Sequence, residues 1–389
     1  MNKTTNRQAS PSMPIAPIGI IAPPGGQGLA RMVDRHLVMR RRRLKRISAS
    51  PMHPGFARPT YMISCSCPRF ADGDAKAVIH ESVRPYDLFL ITDIGNHGCA
   101  YRLHGHECRM GPDDHFQDLK RVIAAIQGNA RRINIIMPKL YQGRQHKRQG
   151  RESLDCAVAL QELQRMGVTN VITFDAHNSH VQNAIPLCGF ENLHASYQII
   201  RTMLENEKDL DVNRQRMMVV SPDEGAVDRC LYYANSLHLD LGMFYKRRDT
   251  TRIVSGKNPI ISHEFLGGDI KGKDILIVDD QLASGQSMLN AARELKARRA
   301  RRVFVAVTYA LLDDQGIANF QTAFKRGIIT RVYSTNLSYL HPSLARQAWF
   351  VTVDISDFIA YFIDCLNRNE SISTLLDTSS KIAKYLRRS

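Results

Sequence analysis

Short apolar runs that alternate with helical patterns are the feature that most constrains the fold of this chain. Their Val, Ile and Leu content is nearly continuous, which is typical of strands buried on both faces. Such strands, separated by helices, predict an α/β fold of mainly parallel sheets flanked by helices. The runs that follow a short first strand in "IGIIAPP" occupy residues 87–92, 132–137, 170–174, 216–221, 240–245, 274–278 and 302–308.

Helical periodicity fills most of the segments between these strands. A helix through about residue 45 is expected after the first strand, and others are expected over 113–130, 152–167, 224–237 and 285–298. Asp113 is the predicted N-cap of the second helix, and residues 93–112 are predicted to be a Gly/His-rich loop. The sequence "ARRINIIM" from Ala130 has a short echo in "ARRVFVAV" from Ala300, which suggests two related halves.

The chain is strongly basic, with 53 Lys and Arg against 37 Asp and Glu and a net charge of +16. Such an excess invites a nucleic-acid interpretation. The densest basic run, residues 39–46, instead closes a predicted helix, and no familiar DNA-binding motif accompanies it. A polyanionic small substrate is therefore the favoured partner. Neither a long apolar run nor a signal-peptide core is present, so a cytoplasmic protein without membrane partners is expected.

Cysteine and histidine residues cluster between residues 65 and 108. The pattern contains Cys65-x-Cys67, His97-x-Cys99 and His104-x-His106-x-Cys108. A zinc site normally uses C-x-x-C pairs, and this spacing fits no standard pattern. We therefore expect loop residues that hold no metal.

The stretch "DILIVDDQLASGQS" carries the strongest sign of chemistry. Asp279 and Asp280 follow an apolar strand, and ligands of open parallel sheets bind at the carboxyl ends of the strands. The next loop offers backbone N–H groups and the hydroxyls of Ser284 and Ser287 at a helix N-terminus, which is an anion site. Carboxylates for vicinal hydroxyls beside amides for a phosphate fit a sugar phosphate. The alternative is that Asp280 and Ser284 merely cap the helix.

At this point the sequence resembles the ribose-phosphate diphosphokinase family, also called phosphoribosyl pyrophosphate synthetases. The segment "DDQLASGQS" (279–287), called the ribose loop below, is shared with type I phosphoribosyltransferases, whereas the other motifs separate the two groups. These motifs occur in the family's order and are "RFADGDAKAVIHESVR" (69–84), "YQGRQHKR" (141–148), "TFDAHNSHVQ" (173–182), "VVSPDEGAVDR" (219–229) and "YKRRD" (245–249).

The resemblance implies a role for each matching residue. ATP is bound by Phe70, Asp72, Asp74, Arg144 and Gln145, and the Phe70 segment reaches an adenine site on a neighbouring subunit. Ribose 5-phosphate is bound by Asp279, Asp280, Ser284, Gly285, Gln286 and Ser287. His177 and Asp223 hold Mg²⁺, and the residues assigned to catalysis are Lys246, Arg248 and His177. On their own chemistry His177 could instead contact a phosphate, and Asp223 is a hard oxygen ligand.

The resemblance also implies two tandem type I phosphoribosyltransferase-like domains in a homo-oligomer, from a dimer to a hexamer. Residues 1–14 are polar and contain proline, so a flexible tail is expected there from composition. Residues 15–195, completed by residues 345–389, form the ATP-side domain, and residues 196–344 form the ribose 5-phosphate side. The implied reaction moves the diphosphoryl group of ATP to the 1-hydroxyl of ribose 5-phosphate with Mg²⁺, and AMP leaves.

The ribose loop departs from the family pattern at two notable positions. Ala283 stands where the family usually has an acid, and Gln286 stands where it has Gly. Gln286 is expected to add bulk close to the phosphate. Two other functions therefore stay open, namely a weak or inactive regulatory paralogue of the synthetase and a salvage phosphoribosyltransferase.

Overall fold

The computed structural model describes residues 12–47, 55–148, 150–248, 260–376 and 378–386, with the backbone alone at 246–248, 260–263, 374, 376, 379, 380 and 384. Its strands are β1 (Ile18–Ile21), β2 (Cys65–Ser66), β3 (Val78–Ile79), β4 (Asp87–Ile91), β5 (Ala100–Leu103), β6 (His106–Arg109), β7 (Arg132–Ile136), β8 (Asn170–Phe174), β9 (Gly189–Leu193), β10 (Met217–Ser221), β11 (Asp240–Arg248), β12 (Ile260–Leu266), β13 (Asp274–Leu282), β14 (Arg302–Ala310), β15 (Arg331–Thr335) and β16 (Phe350–Val353).

Helices connect most of these strands. They are α1 (Gln27–Ile47), α2 (Pro112–Ile126), α3 (Asp155–Arg165), α4 (Ser196–Asn206), α5 (Val227–Leu237), α6 (Gln286–Ala297), α7 (Asp314–Lys325), α8 (Ser356–Asn367), α9 (Ser373–Leu376) and α10 (Ser379–Leu386). The described residues fall into two compact units, one within 1–193 and 355–376 and the other within 194–354 and 377–389.

The first unit is built on a five-stranded parallel sheet in the order β1-β4-β7-β8-β9. Its strands are buried as the apolar runs predicted, with Leu88, Phe89, Ile135 and Val171 fully enclosed. Parallel pairing brings the carboxyl ends of β7 and β8 to the same edge, so the segments that follow them are neighbours.

Helix α8 closes the first unit through a buried cluster of charges. The carboxylate of Asp364 is fully buried and accepts hydrogen bonds from Arg40, Arg41 and Arg368 at 2.9–3.0 Å. Arg41 is itself 1% exposed and donates to Asn367. Part of the basic run at 39–46 therefore stabilises the fold, because a buried carboxylate needs such partners.

The second unit is built on a seven-stranded sheet in the order β12-β11-β10-β13-β14-β15-β16. Only β12 among these strands pairs antiparallel. The core on one side of the sheet gathers residues such as Ile275, Leu289, Val305 and Phe320 around Trp349. The predicted α/β class with mainly parallel sheets is confirmed in both units.

The boundaries of the domains differ from the predicted ones. Strand β16 pairs in parallel with β15, so residues 350–353 extend the second sheet rather than completing the first unit. Helix α10 also packs against α4 and α5 of the second unit. The C-terminal contribution to the first unit is therefore residues 355–376, where residues 345–389 were predicted.

Local corrections concern the predicted loop 93–112 and the start of α2. The loop contains the antiparallel hairpin β5–β6, which its Gly and His content concealed. Helix α2 is capped at Gly111, whose N–H donates to the Asp114 carboxylate at 2.9 Å. Asp113 was wrongly predicted as the N-cap, and it instead accepts a hydrogen bond from the Tyr141 hydroxyl at 2.8 Å. In the described part of the chain, no helix has the length and apolar character that a membrane crossing needs.

Candidate active site

Asp279 and Asp280 lie within β13, which continues four residues beyond the predicted run 274–278. The pairing of β13 with β10 ends at Ile277, whereas its pairing with β14 continues to Leu282. The two acids thus lie beyond the last residue of β13 that pairs with β10, in a part of β13 that still pairs with β14. This placement keeps the predicted carboxyl-end location and makes it more rigid than a loop.

The two carboxylates have different surroundings. Asp280 is 6% exposed, whereas the Asp279 side chain is partly exposed and accepts a hydrogen bond from the Asp280 N–H at 2.8 Å. Burial, followed by repulsion from Asp280, raises the pKa of Asp279 to about 7. The raised pKa leaves the Asp279 carboxyl partly protonated near neutral pH.

Asp223 and Arg229 surround the same carboxylate, and the motif "PDEGAVDR" places them there. Asp223 follows β10 and accepts a hydrogen bond from the Gly225 N–H at 3.1 Å. Arg229 lies on α5 and brings Nη1 to 3.9 Å from Oδ1 of Asp279. Asp223 raises the pKa of Asp279 and Arg229 lowers it. Arg229 ends the motif "VVSPDEGAVDR", and the sequence alone assigned it no role, although its place six positions after a proposed metal ligand was the available signal.

The loop from Ala283 to Ser287 leads into the N-terminus of α6. Gly285 adopts φ +70°, and a Cβ there would lie 2.3 Å from Phe320, so glycine is required. The side chain of Gln286 donates to Asn290 at 2.8 Å along the helix. Its bulk is thus turned toward the next helical turn. Ser284 and Ser287 are exposed, as an anion site with accessible hydroxyls needs.

The first unit carries a second polar group at the ends of β7 and β8. Arg144 is exposed on the turn after β7, and Gln145 donates to the Ser153 carbonyl at 2.7 Å. The rings of His146 and His177 lie 5.4 Å apart between centroids, which ties this turn to the segment after β8. Burial, and then the charges of His177 and Lys147, lower the pKa of His146, so its imidazole is neutral at neutral pH.

The segment that contains Phe70, Asp72 and Asp74 is a small exposed loop in the first unit. Phe70 is 49% exposed. The loop is closed by hydrogen bonds from the Phe70 N–H to the Asp74 carbonyl and from the Gly73 N–H to the Phe70 carbonyl, at 2.7 and 3.1 Å. All three predicted side chains point away from the core, as a loop that reaches toward a ligand requires.

Lys246 and Arg248 lie at the end of β11, where the backbone pairs with β12. Their side chains fall outside the described part of the chain, as do residues 249–259. The predicted start of a catalytic loop at "YKRRD" is thus a strand through Arg248.

No group of three or more His, Cys, Asp or Glu side chains in the described ranges is arranged to hold a metal ion. Mg²⁺ usually binds proteins through only one or two carboxylates, keeps several waters and takes the rest of its ligands from substrate phosphates. Asp223 lies near enough to Asp279 to raise the pKa of the Asp279 carboxyl. The second unit therefore contains neighbouring carboxylates, which are hard oxygen donors. His177 lies in the first unit. The donor set fits Mg²⁺ held mainly by a substrate.

Comparison with known proteins adds to this geometry. A model of the N-terminal domain of ribose phosphate pyrophosphokinase matches residues 20–167, and a phosphoribosyl transferase domain model matches residues 189–322. The chain belongs to the ribose-phosphate pyrophosphokinase family. This confirms the family, the enzyme class and the pair of phosphoribosyltransferase-like domains inferred from the sequence.

Individual relatives cover most of the chain. Ribose-phosphate pyrophosphokinase 3 of Saccharomyces cerevisiae is 27% identical over 364 residues, which is 93% of this chain and 98% of the relative. The enzyme of Mycoplasma pneumoniae is 28% identical and covers 79% and 85% of the two chains. The crystal structure of phosphoribosylpyrophosphate synthetase from Mycobacterium smegmatis matches with a TM-score of 0.72 at 21% identity, covering 91% of this chain and 99% of that one.

Proposed function

We propose that this protein transfers the diphosphoryl group of ATP to the 1-hydroxyl of ribose 5-phosphate, giving 5-phosphoribosyl 1-diphosphate and AMP. The observation that carries this proposal is the second polar group in the first unit. His146 and His177 come together, with Arg144 on the same exposed turn as His146, in a domain that matches the N-terminal domain of ribose phosphate pyrophosphokinase. A salvage phosphoribosyltransferase needs only the ribose loop of the second unit.

The ribose 5-phosphate half of the reaction is assigned to the second unit. Asp279 and Asp280 accept hydrogen bonds from the ribose hydroxyls, and Arg229 keeps Asp279 oriented and partly ionised. Ser284, Gly285, Gln286 and Ser287 bind the 5-phosphate, because the exposed hydroxyls and the amides before α6 form an anion site.

The ATP half of the reaction is assigned to the first unit. Arg144 binds phosphate oxygens, because a guanidinium on an exposed turn can make bidentate contacts. Gln145 supports that turn through its hydrogen bond to Ser153. The exposed loop with Phe70, Asp72 and Asp74 contacts adenine in a homo-oligomer, as the family resemblance implies. His177 in the first unit and Asp223 in the second are each proposed as a Mg²⁺ ligand beside substrate phosphates, and the metal would neutralise charge on the transferred group.

The chemical step needs no covalent bond to the protein. The O1 oxygen of ribose 5-phosphate forms a bond to the β-phosphorus, the bond from that phosphorus to the α,β-bridging oxygen breaks, and the hydroxyl proton is released. Catalysis of this kind rests on positioning and charge stabilisation. We assign the charge stabilisation to Lys246 and Arg248. We propose that His177 lies next to the AMP that leaves.

The direct test is the release of AMP from ATP. Purified protein with ATP, Mg²⁺ and ribose 5-phosphate should release AMP, and omission of ribose 5-phosphate should abolish the release. A folded protein that releases none would contradict the proposal. Pyrophosphate release from 5-phosphoribosyl 1-diphosphate that depends on an added base would instead support the salvage enzyme.

A regulatory paralogue is the second candidate, and Ala283 is the observation that favours it. This position lacks the third acid that the family usually carries in the ribose loop. Such a paralogue would release no AMP alone and would change the rate of an active synthetase when the two are mixed. Ala283→Asp would then be expected to create or raise the protein's own turnover.

A further inference from the structure

The hairpin β5–β6 is a feature that the proposed function does not use. Its strands pair from Ala100↔Arg109 to Leu103↔His106, and the two turn residues His104 and Gly105 both have positive φ, at 49° and 81°. A two-residue turn of this kind matches the twist of its strands, so the hairpin is well defined to its tip. The base is closed by the Met110 N–H, which donates to the Cys99 carbonyl at 2.9 Å.

The base of the hairpin is tied to the body of the first unit. Asn96 donates from its side chain to the Gly25 carbonyl at 2.9 Å, and its own carbonyl oxygen lies 2.8 Å from Nε2 of the buried His115. Gly25 packs so closely on His115 that an added Cβ would lie 2.6 Å from Nδ1. The hairpin therefore projects from a rigid base near the start of α1.

The hairpin lies against the exposed loop that carries Phe70, Asp72 and Asp74. An added Cβ on Gly73 would lie 3.3 Å from Cδ1 of Leu103, so the tip of the loop is in close contact with that side chain. The ring of Tyr101 lies 5.1 Å from the guanidinium carbon of Arg69, within cation–π range. The hairpin thus meets the loop at its stem and at its tip.

Arg69 connects the hairpin, the loop and α2. It donates twice to the buried Asp118 of α2, at 2.6 and 3.0 Å, while its other side faces Tyr101. A cavity of about 330 Å³ lies between Gly73, Tyr101 and the first turns of α2. The stem of the loop is therefore held by α2, and Leu103 gives the tip of the loop a packing contact.

We propose that the β5–β6 hairpin is a positioning element that holds the tip of the 69–75 loop ready for nucleotide binding. This inference rests on the proposed function, because it assumes that Phe70, Asp72 and Asp74 contact ATP. A loop that is already ordered loses less conformational freedom when it binds a ligand. Loosening the hairpin contact should therefore weaken ATP binding and leave the ribose 5-phosphate side unchanged.

The test compares Leu103→Ala and Tyr101→Ala with a control on the same hairpin. Arg102 is exposed and pairs across the hairpin with Glu107, so Arg102→Ala removes a side chain of similar length without touching the loop. Two quantities are measured, namely amide hydrogen exchange over residues 69–75 and the KM values for both substrates.

Both test variants should exchange amide hydrogens in residues 69–75 at least threefold faster than the wild type. Their KM for ATP should rise about three- to tenfold, whereas kcat and the KM for ribose 5-phosphate should stay within about twofold. Arg102→Ala should match the wild type in all of these measurements.

Unchanged exchange over residues 69–75 in both variants would overturn the inference, and so would faster exchange with an unchanged KM for ATP. An equal rise in both KM values would also overturn it, because that result indicates general loosening. If the wild type shows no turnover, the proposed function has failed, and the dissociation constant for ATP replaces its KM, with the same three- to tenfold rise expected in both test variants. The exchange data then still decide whether the hairpin orders the loop.

Discussion

Nη1 of Arg229 lies 3.9 Å from Oδ1 of Asp279, and this partly buried pair joins α5 to the acidic end of β13. The neighbouring Asp280 and Asp223 both oppose ionisation of Asp279, and Arg229 favours it. A carboxylate that must accept hydrogen bonds from a sugar needs such support. In the proposed site Arg229 would act on the substrate through Asp279, and we assign it as a positioning residue.

Arg229→Gln should raise the KM for ribose 5-phosphate about fivefold and leave the KM for ATP nearly unchanged. The fivefold rise in KM corresponds to the loss of a partly exposed ion pair that contributes about 1 kcal/mol. Steady-state kinetics with each substrate varied in turn provide the measurement. Arg214 forms a more exposed pair with Asp240 in the same unit, so Arg214→Gln is the matched control. Equal changes in the two variants would contradict the role of Arg229.

The raised pKa of Asp279 predicts a pH dependence of stability. A carboxyl group whose pKa is higher in the folded than in the unfolded state favours folding while it is protonated. Its contribution is therefore present at low pH and is lost as the pH rises from about 4 to the folded-state pKa of about 7.

The measurement is the free energy of unfolding of wild type and Asp279→Asn at a series of pH values in metal-free buffer. Relative to the variant, the wild type should lose up to about 1.4 kcal/mol per pH unit across this window. The difference between the two proteins cancels the titration of all other groups that the substitution leaves undisturbed. A difference that does not change with pH, or that grows in favour of the wild type, would contradict the assigned pKa direction.

Arg144→Ala should weaken the ATP side of the reaction. A charge-assisted hydrogen bond to phosphate contributes roughly 1.5–3 kcal/mol, so the KM for ATP should rise about tenfold or more. The KM for ribose 5-phosphate should be unaffected. Arg165 is an exposed arginine at the end of α3 in the same unit, and Arg165→Ala controls for the change in net charge. A larger effect of Arg165→Ala than of Arg144→Ala would refute the assignment.

Arg248→Ala should lower kcat about 100-fold or more without a comparable loss of stability. The reason is that a cation which stabilises developing charge acts mainly in the transition state. Turnover and the thermal unfolding midpoint are measured together. Normal turnover in a normally folded variant would show that the family's role for this position does not extend to this chain.

Strand β8 shows how much of the fold the sequence predicts. Its bounds at Asn170–Phe174 match the predicted run residue for residue, because a buried parallel strand needs continuous apolar side chains. The hairpin β5–β6 shows the opposite case. Its strands are mostly exposed and have no continuous apolar face, so their pairing depends on a two-residue turn and on contacts with Arg69 and Gly73.

The residues of the candidate site also differ in whether the sequence predicts them. Asp279, Asp280 and the glycine of the ribose loop follow from a strand, a turn and a helix that are adjacent in the sequence. Arg229 lies 50 positions before Asp279, and the His146–His177 contact spans two separate strand ends. Such pairs depend on how parallel strands align, which the local pattern does not contain. The contact of Gln286 with Asn290 has a local cause instead, because residues four positions apart lie on the same face of a helix.

The most direct test of the central claim uses ATP that carries ³²P in its β-phosphate and measures which product receives this label. The protein is incubated with this ATP, Mg²⁺ and ribose 5-phosphate, and the products are separated by chromatography. We predict that the label moves to 5-phosphoribosyl 1-diphosphate and that unlabelled AMP forms in equal amount. Label that stays in adenine nucleotides or appears only as free phosphate, with a folded protein and all substrates present, would contradict the account.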